Sequence, residues 1–327
     1  MKNILVIGSI NIDLVMQTSR IPGQGESFVG DEYSWIPGGK GANQGVAAAR
    51  AGGDVTFLGK IGNDENGNVL RRGLADSGID TSGILTADSA PTGMAAIIVE
   101  SSGENRILVF PGANLELQAR DVTDIINAGP SESSRFDALL LSLEIPVPVI
   151  EGAVDAARNA KIPLYVDAGP SRPINPDIFK DIRMLSPNQS ELAALTGKSC
   201  STFAQTRQAA AALFRRLKPE YLIVKMGAAG CLLLSGGRSA GVNGAGDEVG
   251  GPEQRHVPAF PVKAVDGTAA GDAFTAGLTV EHLKSGDMAE AVRFGSAAGA
   301  LAASKLGAQP SLPTRSEVED FLKQQQG

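Results

Sequence analysis

Five short apolar runs recur along the chain: "ILVIG" at Ile4, "VTFLG" at Val55, "ALLLS" at Ala138, "PLYVDAG" at Pro163 and "YLIVKMG" at Tyr221. Each is closed by turn residues and followed by a helical pattern. A strand that is apolar at every position, rather than at alternate ones, has to be covered on both faces, and helices between successive strands supply that cover. The runs therefore predict an α/β fold built on a doubly wound, mostly parallel sheet. A chain of 327 residues fits one large domain of this class with a modest appendage, so residues 1–327 are expected to form a single unit. Two regions break the rhythm. "DLVMQTSRIPGQGESFVGDEYSW" (residues 13–35) and "GMAAIIVESSGENRILVFPGAN" (residues 93–114) read as strand pairs without helices, the second a hairpin turning at Ser102-Gly103. They predict a small separate β-sheet that acts as a lid.

The C-terminal third is helical in pattern: "GDAFTAGLTVEHLKSG" from Gly271, "MAEAVRFGSAAGALAASKLG" from Met288, and the tail "RSEVEDFLKQQQ". The run of small residues in the second implies close packing. "SGGRSAGVNGAGDEVGGPEQRH" (residues 235–256) is rich in glycine and poor in apolar residues, and reads as a flexible excursion between strands. The formal net charge is −7 with Lys and Arg scattered, so no basic stripe favours nucleic acid or an anionic membrane surface. Cys200 and Cys231 are too few for a disulfide framework. His256 and His282 stand alone without zinc-site spacing and are read most simply as surface residues. The start "MKNILVIGSI" fits a buried first strand better than a signal peptide, and no apolar run approaches membrane-spanning length, which predicts a cytoplasmic protein.

The stretch "IPGGKGANQGVAAAR" from Ile36 crowds glycines ahead of an ordinary helical pattern. Glycine inside a helix costs about 1 kcal/mol against alanine, so Gly38, Gly39 and Gly41 are expected to shape a backbone approach just before the helix begins. "VDGTAAGDAFTAG" from Val265 has the form of a strand end, a loop of small residues and a helix starting at Gly271-Asp272. Unpaired N–H groups and a positive partial charge at such a helix start make an anion hole. On this segment alone, Asp272 is most simply a capping carboxylate. Neither G-x-G-x-x-G after the first strand nor G-x-x-x-x-G-K-[ST] anywhere is present.

The ordered set "GSINID", "PGGKGANQ", "SPNQSE", "KMGAAG" and "DGTAAGD" resembles the PfkB carbohydrate kinases; "GGKGANQ", "GSINID" and the late "GAQPS" resemble its ribokinase branch. The resemblance runs from the first strand to Pro313. It implies a ribokinase-like fold and an ATP-dependent kinase that transfers the γ-phosphoryl group to the 5-hydroxyl of D-ribose. A relative acting on fructose, deoxyribose or a nucleoside is the nearer rival, and a sugar-binding sensor without turnover the remote one. By the same resemblance, Asn11, Asp13, Gly39, Lys40, Gly41, Asn43 and Glu144 form the sugar site. Without it, Asn11 and Asp13 would read as a turn with Asx hydrogen bonds.

For the nucleotide, the match assigns Asn188 and Glu191 to organising Mg²⁺ and phosphates through water, although Asn188 also reads as a helix cap. Lys225, Met226, Gly227, Ala228, Ala229 and Gly230 match the adenosine-contacting turn, which would otherwise read as a hairpin loop; Ser296 joins the nucleotide set. Ala269, Ala270 and Gly271 would form the anion hole, with Asp272 as the base. An ordinary aspartate pKa makes it a weak base for an alcohol, so orientation and late proton acceptance are its expected role. Asp266, Thr268, Ala302, Lys305, Gly307 and Ser311 match the positions that hold an activating K⁺. Two departures stand out. Gly267 replaces a threonine common after the aspartate, and the 235–256 insertion lies where the adenine edge is expected. The lid carries Val15, Phe28, Val29, Trp35, Ile97, Val99, Leu108 and Phe110, more apolar side chains than an exposed sheet should leave in water, which predicts a homodimer through the lid.

Overall fold

The computed structural model describes residues 1–101, 105–128, 135–236 and 252–325. The chain opens with β1 (Asn3–Ile7), β2 (Asn11–Thr18), β3 (Glu32–Gly38), α1 (Lys40–Arg50), β4 (Asp54–Ile61), α2 (Glu65–Asp76) and β5 (Ile84–Thr86). There follow β6 (Gly93–Glu100), β7 (Asn105–Phe110), α3 (Ala119–Asn127), β8 (Ala138–Ser142), α4 (Val147–Asn159), β9 (Leu164–Asp167) and β10 (Met184–Ser186). The remainder is α5 (Gln189–Thr196), α6 (Phe203–Leu217), β11 (Tyr221–Lys225), β12 (Cys231–Ser235), β13 (Glu253–Val257), α7 (Ala270–Ser285), α8 (Met288–Ala303) and α9 (Arg315–Gln324).

All five apolar runs become strands of one sheet, ordered β13-β12-β11-β10-β9-β8-β1-β4-β5. Pairing is parallel from β11 to β5 and antiparallel for β12 and β13. The continuous apolarity has the expected cause. In β1, Ile4 and Val6 pack with α1, α7 and α8 on one face, while Leu5 and Ile7 pack with α4 and α6 on the other. After "YLIVKMG" a hairpin into β12 follows, as the loop reading of "KMGAAG" expects, and not the helix of the strand rhythm. The glycine-rich excursion also ends earlier than expected, because Glu253–Val257 pairs with β12 as the edge strand; residues 237–251 lie outside the described residues.

A smaller sheet, ordered β3-β2-β6-β7, is the helix-free pair of regions. The turn expected at Ser102-Gly103 lies outside the described residues. Phe28 and Val29 fall in the link between β2 and β3, not in a strand as expected. The run of small residues in α8 does what its composition implies. A Cβ on Gly295 would lie 2.7 Å from the Phe274 carbonyl oxygen, so α7 and α8 touch nearly backbone to backbone. His282 corrects its surface assignment: it is 7% exposed, with Nδ1 2.8 Å from the Tyr165 hydroxyl, and burial lowers its pKa. His256 is exposed as expected. Among the described residues no helix is long and apolar enough to cross a membrane.

Candidate active site

Helix α1 begins at Lys40, so Gly41 lies inside its first turn and not before it. Gly39 precedes the helix at φ 87°, in the left-handed region that favours glycine. The close approach read from these glycines is present, and the approaching partner is the chain itself. A Cβ on Gly41 would lie 2.5 Å from the backbone of Gly8, and one on Gly39 would lie 2.8 Å from Asn11 N and Ser9 O. The first turn of α1 thus rests directly on the link from β1 to β2. That contact gathers Asn11, Asp13, Lys40 and Asn43.

Glu144, one residue beyond Leu143 after β8, completes the group. It accepts from Ser9 Oγ and, at 3.2 Å, from the Lys40 backbone N–H. Asn114 was missed by the sequence reading. Its Oδ1 accepts from Ile10 N at 2.9 Å and its Nδ2 donates to Asn11 Oδ1 at 2.8 Å, so it fixes the start of β2. Burial, with the charge of Glu144 as a smaller cause, pushes the Asp13 carboxyl up to about 7.

Asp272 lies in the first turn of α7 but caps nothing. The helix is preceded by Ala269 at φ 59° with no side-chain cap, and the Asp272 carboxyl turns toward α1. Its Oδ2 accepts from Asn43 Nδ2 at 3.1 Å and its Oδ1 from Gln44 Nε2 at 3.0 Å. Only 4% of the residue is exposed. Burial raises its pKa, Lys40 pulls it back and Asp167 pushes it up, so it is not the ordinary aspartate the sequence suggested. Conversely, Asp272 is the largest of several carboxylates that raise the pKa of Lys40. Asn43 Oδ1 and Gln44 Oε1 are buried acceptors with no partner, which leaves donors for a hydroxyl-bearing ligand to supply.

Asp167 and Gln44 are further residues that the sequence reading did not single out. Asp167 ends β9 at the carboxyl edge of the sheet, where ligands bind in open parallel folds; its place after the run "PLYV" was the available signal. It accepts from Gln44 Nε2 at 3.1 Å, from Thr275 Oγ1 at 3.1 Å, and from Lys225 Nζ at 3.0 Å on each oxygen. Burial raises its pKa, but Lys225 and Lys40 outweigh that and hold it below the usual range.

Asn188 and Glu191 form a capping box at the start of α5: Asn188 N donates to Glu191 Oε2 at 2.7 Å, and Glu191 N donates to Asn188 Oδ1 at 2.8 Å. Capping does not exhaust Glu191. A Cβ on Gly169 would sit 2.6 Å from its Oε1 and 3.2 Å from Lys40 Nζ, so this carboxyl opens on the same space as Lys40. Burial raises its pKa, moderated by Lys225. The Lys225 backbone donates to Pro187 O at 2.9 Å, which joins this segment to the 225–230 turn. Met226 is buried there, Ala228 and Ala229 are exposed, and Gly227 and Gly230 take φ 56° and 86°. Ser296, on α8, hydrogen-bonds Cys231 at the far end of that turn.

The segments expected to hold a monovalent cation do meet. Asp266 accepts from Thr268 N at 2.9 Å and Gly307 N at 2.9 Å, and Lys305 N donates to Ala302 O at 3.1 Å. Ser311 closes on Ala308 O at 2.7 Å, while the Lys305 ammonium turns to Glu317 at 2.8 Å. Gly267 lies open, with nothing within 4 Å of a Cβ placed there.

This arrangement can be set beside known proteins. Residues 1–315 match the pattern that describes the pfkB family carbohydrate kinases. The ribokinase of Haemophilus influenzae is 34% identical over 322 residues, covering 98% of this chain and 99% of that protein. The crystal structure of the ribokinase of Thermotoga maritima is 36% identical, with a TM-score of 0.83 over 99% of this chain and 100% of that one. The Arabidopsis thaliana ribokinase complexed with ribose and ATP is 29% identical, also at 0.83, over 98% of each chain. A match spanning nearly the whole sequence, on a fold shared end to end, places the chain in the pfkB family of carbohydrate kinases.

Proposed function

We propose that this protein transfers the γ-phosphoryl group of ATP to the 5-hydroxyl of D-ribose, giving ribose 5-phosphate and ADP. The observation that carries the reading is the Asp272 carboxyl, buried at the start of α7 and aimed at Asn43 and Gln44 of α1 instead of capping its helix. A carboxylate so placed can orient a hydroxyl, take its proton, and still lie within a turn of backbone N–H groups that face an anion. The ribose and ATP bound by the Arabidopsis relative support the choice of both substrates.

Asn11, Asp13, Asn43 and Glu144 read the sugar hydroxyls; Gly39, Lys40 and Gly41 frame them. The unpartnered Asn43 Oδ1 is an acceptor for one such hydroxyl. Ala269, Ala270 and Gly271 offer backbone N–H groups to the transferred phosphoryl, Ala270 by giving up a long 3.3 Å bond to Gly267 O, and the absence of side-chain bulk at Gly267 and Gly271 leaves that approach open. The turn from Met226 to Gly230, with Ser296 across from it, receives the adenosine. The whole chain then works as one ribokinase-like domain with the smaller sheet as its lid, which excludes competing water.

Asn188 and Glu191 would hold Mg²⁺ through water, because each already uses one side-chain oxygen in the capping box. When bound, Mg²⁺ neutralises charge on the phosphate oxygens. Asp266, Thr268, Ala302, Lys305, Gly307 and Ser311 supply the oxygen-rich fold in which K⁺ fits, Asp266 tying the two halves together. The assembly is a homodimer through the lid, and the setting is the cytoplasm.

The test is ADP release across a sugar panel. D-Ribose should show a higher kcat/KM than fructose, adenosine or deoxyribose. Stranding the partner of a missing hydroxyl costs about 1–3 kcal/mol, so deoxyribose should lose about tenfold or more. Equal efficiency on ribose and deoxyribose would reject the ribose assignment, and tight ribose binding with no turnover would reject the kinase.

A further inference from the structure

The Lys225 ammonium occupies a place that its position before an adenosine turn does not explain. It is drawn back from the turn onto Asp167, 3.0 Å from each carboxylate oxygen, with Thr275 Oγ1 a weaker partner at 3.4 Å. The lysine side chain is 13% exposed and the aspartate 2%, so this is a largely desolvated pair. Such a pair stabilises a fold little beyond what apolar side chains of the same size would do. Its direction is more informative. A Cβ built on Gly271 meets nothing within 4 Å except Lys225 Nζ, at 3.8 Å. The ammonium therefore overlooks the space in front of the first turn of α7, and its own backbone is bonded beside Asn188.

Around that space, among the described residues, the carboxyl groups of Asp167, Glu191 and Asp272 lie with the ammonium groups of Lys40 and Lys225. A polyphosphate entering such a site meets net repulsion unless a cation stands on its side. Lys40 rises from the sugar side, at the start of α1. Lys225 stands on the other.

Resting on the kinase reading above, we propose that Lys225 is a catalytic residue whose ammonium meets the γ-phosphoryl oxygens, and that Asp167 is the positioning residue that holds it ready. The step adds no bond to the lysine. The sugar oxygen bonds to the γ-phosphorus, the bond from that phosphorus to the bridging oxygen of ADP breaks, the hydroxyl proton passes to Asp272, and Lys225 follows the charge as it develops.

Removing Lys225 alone leaves Asp167 buried without the ammonium bonded to it, so the informative protein is the charge-balanced pair Asp167→Asn with Lys225→Met. Calorimetry with ATP and with ADP, each without sugar, reads the nucleotide; a thermal melt checks the fold. In the double variant ATP should bind about tenfold more weakly while ADP weakens by less than about threefold, as loss of a charge-assisted contact to the γ-phosphoryl alone requires. The melt should stay near that of the wild type and kcat should fall at least about 10²-fold. Equal weakening of ATP and ADP, or no weakening of either, would overturn the proposal and return Lys225 to the adenosine turn or to the fold. The contrast needs no turnover. A wild type inert on ribose would sink the kinase reading, while the ATP-to-ADP contrast would still decide Lys225.

Discussion

Burial disfavours the charged forms of both Asp272 and Asp13, but what opposes that cost differs between them. Asp272 has Lys40 nearby and two amide donors on its oxygens, whereas the neighbouring charge that acts on Asp13 is the carboxylate of Glu144. Asp13 is thus raised from 3.8 to about 7. Its folded-state value lies above its unfolded one, so its contribution to stability is fully present below about 3.8 and is lost as pH rises through about 7. Asp13→Asn should therefore raise the melting temperature of the sugar-free protein at pH 8, by up to about 4 kcal/mol of stability, with the gain vanishing toward pH 4. Ribose affinity should fall in the same variant. Thermal melts across pH check it, and a gain independent of pH would refute the account of Asp13. Asp272→Asn asks a different question. The unpartnered Asn43 Oδ1 and Gln44 Oε1 can accept from the new amide, so the fold should hold. The proton acceptor is gone, and kcat should drop by at least about 10²-fold with ATP affinity little changed. Because the base must be deprotonated and burial raises its pKa, the wild-type rate should fall as acidity increases, at a pH above that of an ordinary aspartate. Turnover of the variant within a few-fold of wild type would remove Asp272 from the chemistry.

Helix α1 shows which part of an element its sequence exposes and which it conceals. That glycines crowd the chain ahead of the helix was legible in "PGGKGANQ"; that Gly41 lies within it and is needed against Gly8, over 30 positions earlier, was not, because no local pattern encodes a contact between distant backbones. The parallel strands were legible for the opposite reason, since burial on both faces writes itself into consecutive residues. The three-residue β10 is too short to write anything, and β12 and β13 follow a turn whose helix-or-hairpin outcome depends on the sheet edge beside it. Two glycines in helices test this view. At Gly41 an added methyl would meet backbone at 2.5 Å, which cannot give way as a side chain could. Gly41→Ala should destabilise by about 1–3 kcal/mol and lower turnover, since Asn43 and Gln44 move with the helix. Gly73 of α2 has nothing within 4 Å of the same methyl. Gly73→Ala should stabilise by up to about 1 kcal/mol with activity unchanged. Urea unfolding of the two variants reads both signs, and a neutral Gly41→Ala would refute the packing argument.

At the scale of the whole molecule, the candidate site draws on the β1–β2 link, α1, the ends of β8 and β9, α5, β11 and α7, segments spread over more than 260 positions. Motifs could name most of these segments, yet the joining residues Asp167 and Asn114 belong to no motif, and the joining role of Gln44, the last residue of "PGGKGANQ", emerges only when the chain is closed. The smaller sheet follows the same logic. Its register sets Trp35 opposite Leu14, Leu14 opposite Ala96 and Ala96 opposite Leu108, so these four share one face. Asn11 and Asp13 are odd-numbered steps from Leu14 and Ile12 on β2 and present the other face. The face with Asn11 and Asp13 also carries Val15, Ile97, Ile107 and Val109, so only its Asn11–Asp13 end is polar toward the sugar residues, while Tyr33, Trp35, Leu108 and Phe110 on the far side are 69%, 50%, 63% and 52% exposed. Apolar rows of this extent, on a sheet whose edge strands β3 and β7 have no outer neighbour among the described residues, call for a cover, and the proposed dimer supplies it with a second copy of the same face. The wild type should sediment as a dimer at micromolar concentration, and Trp35→Lys with Leu108→Lys should sediment as a monomer. Dimerisation should also matter to the sugar. Strand β7 leads to Asn114, which fixes Ile10 and Asn11, so loosening that strand should raise the KM for ribose several-fold while kcat changes less. A wild type that sediments as a monomer would reject the interface, and a monomeric variant with an unchanged KM would reject its link to the sugar site.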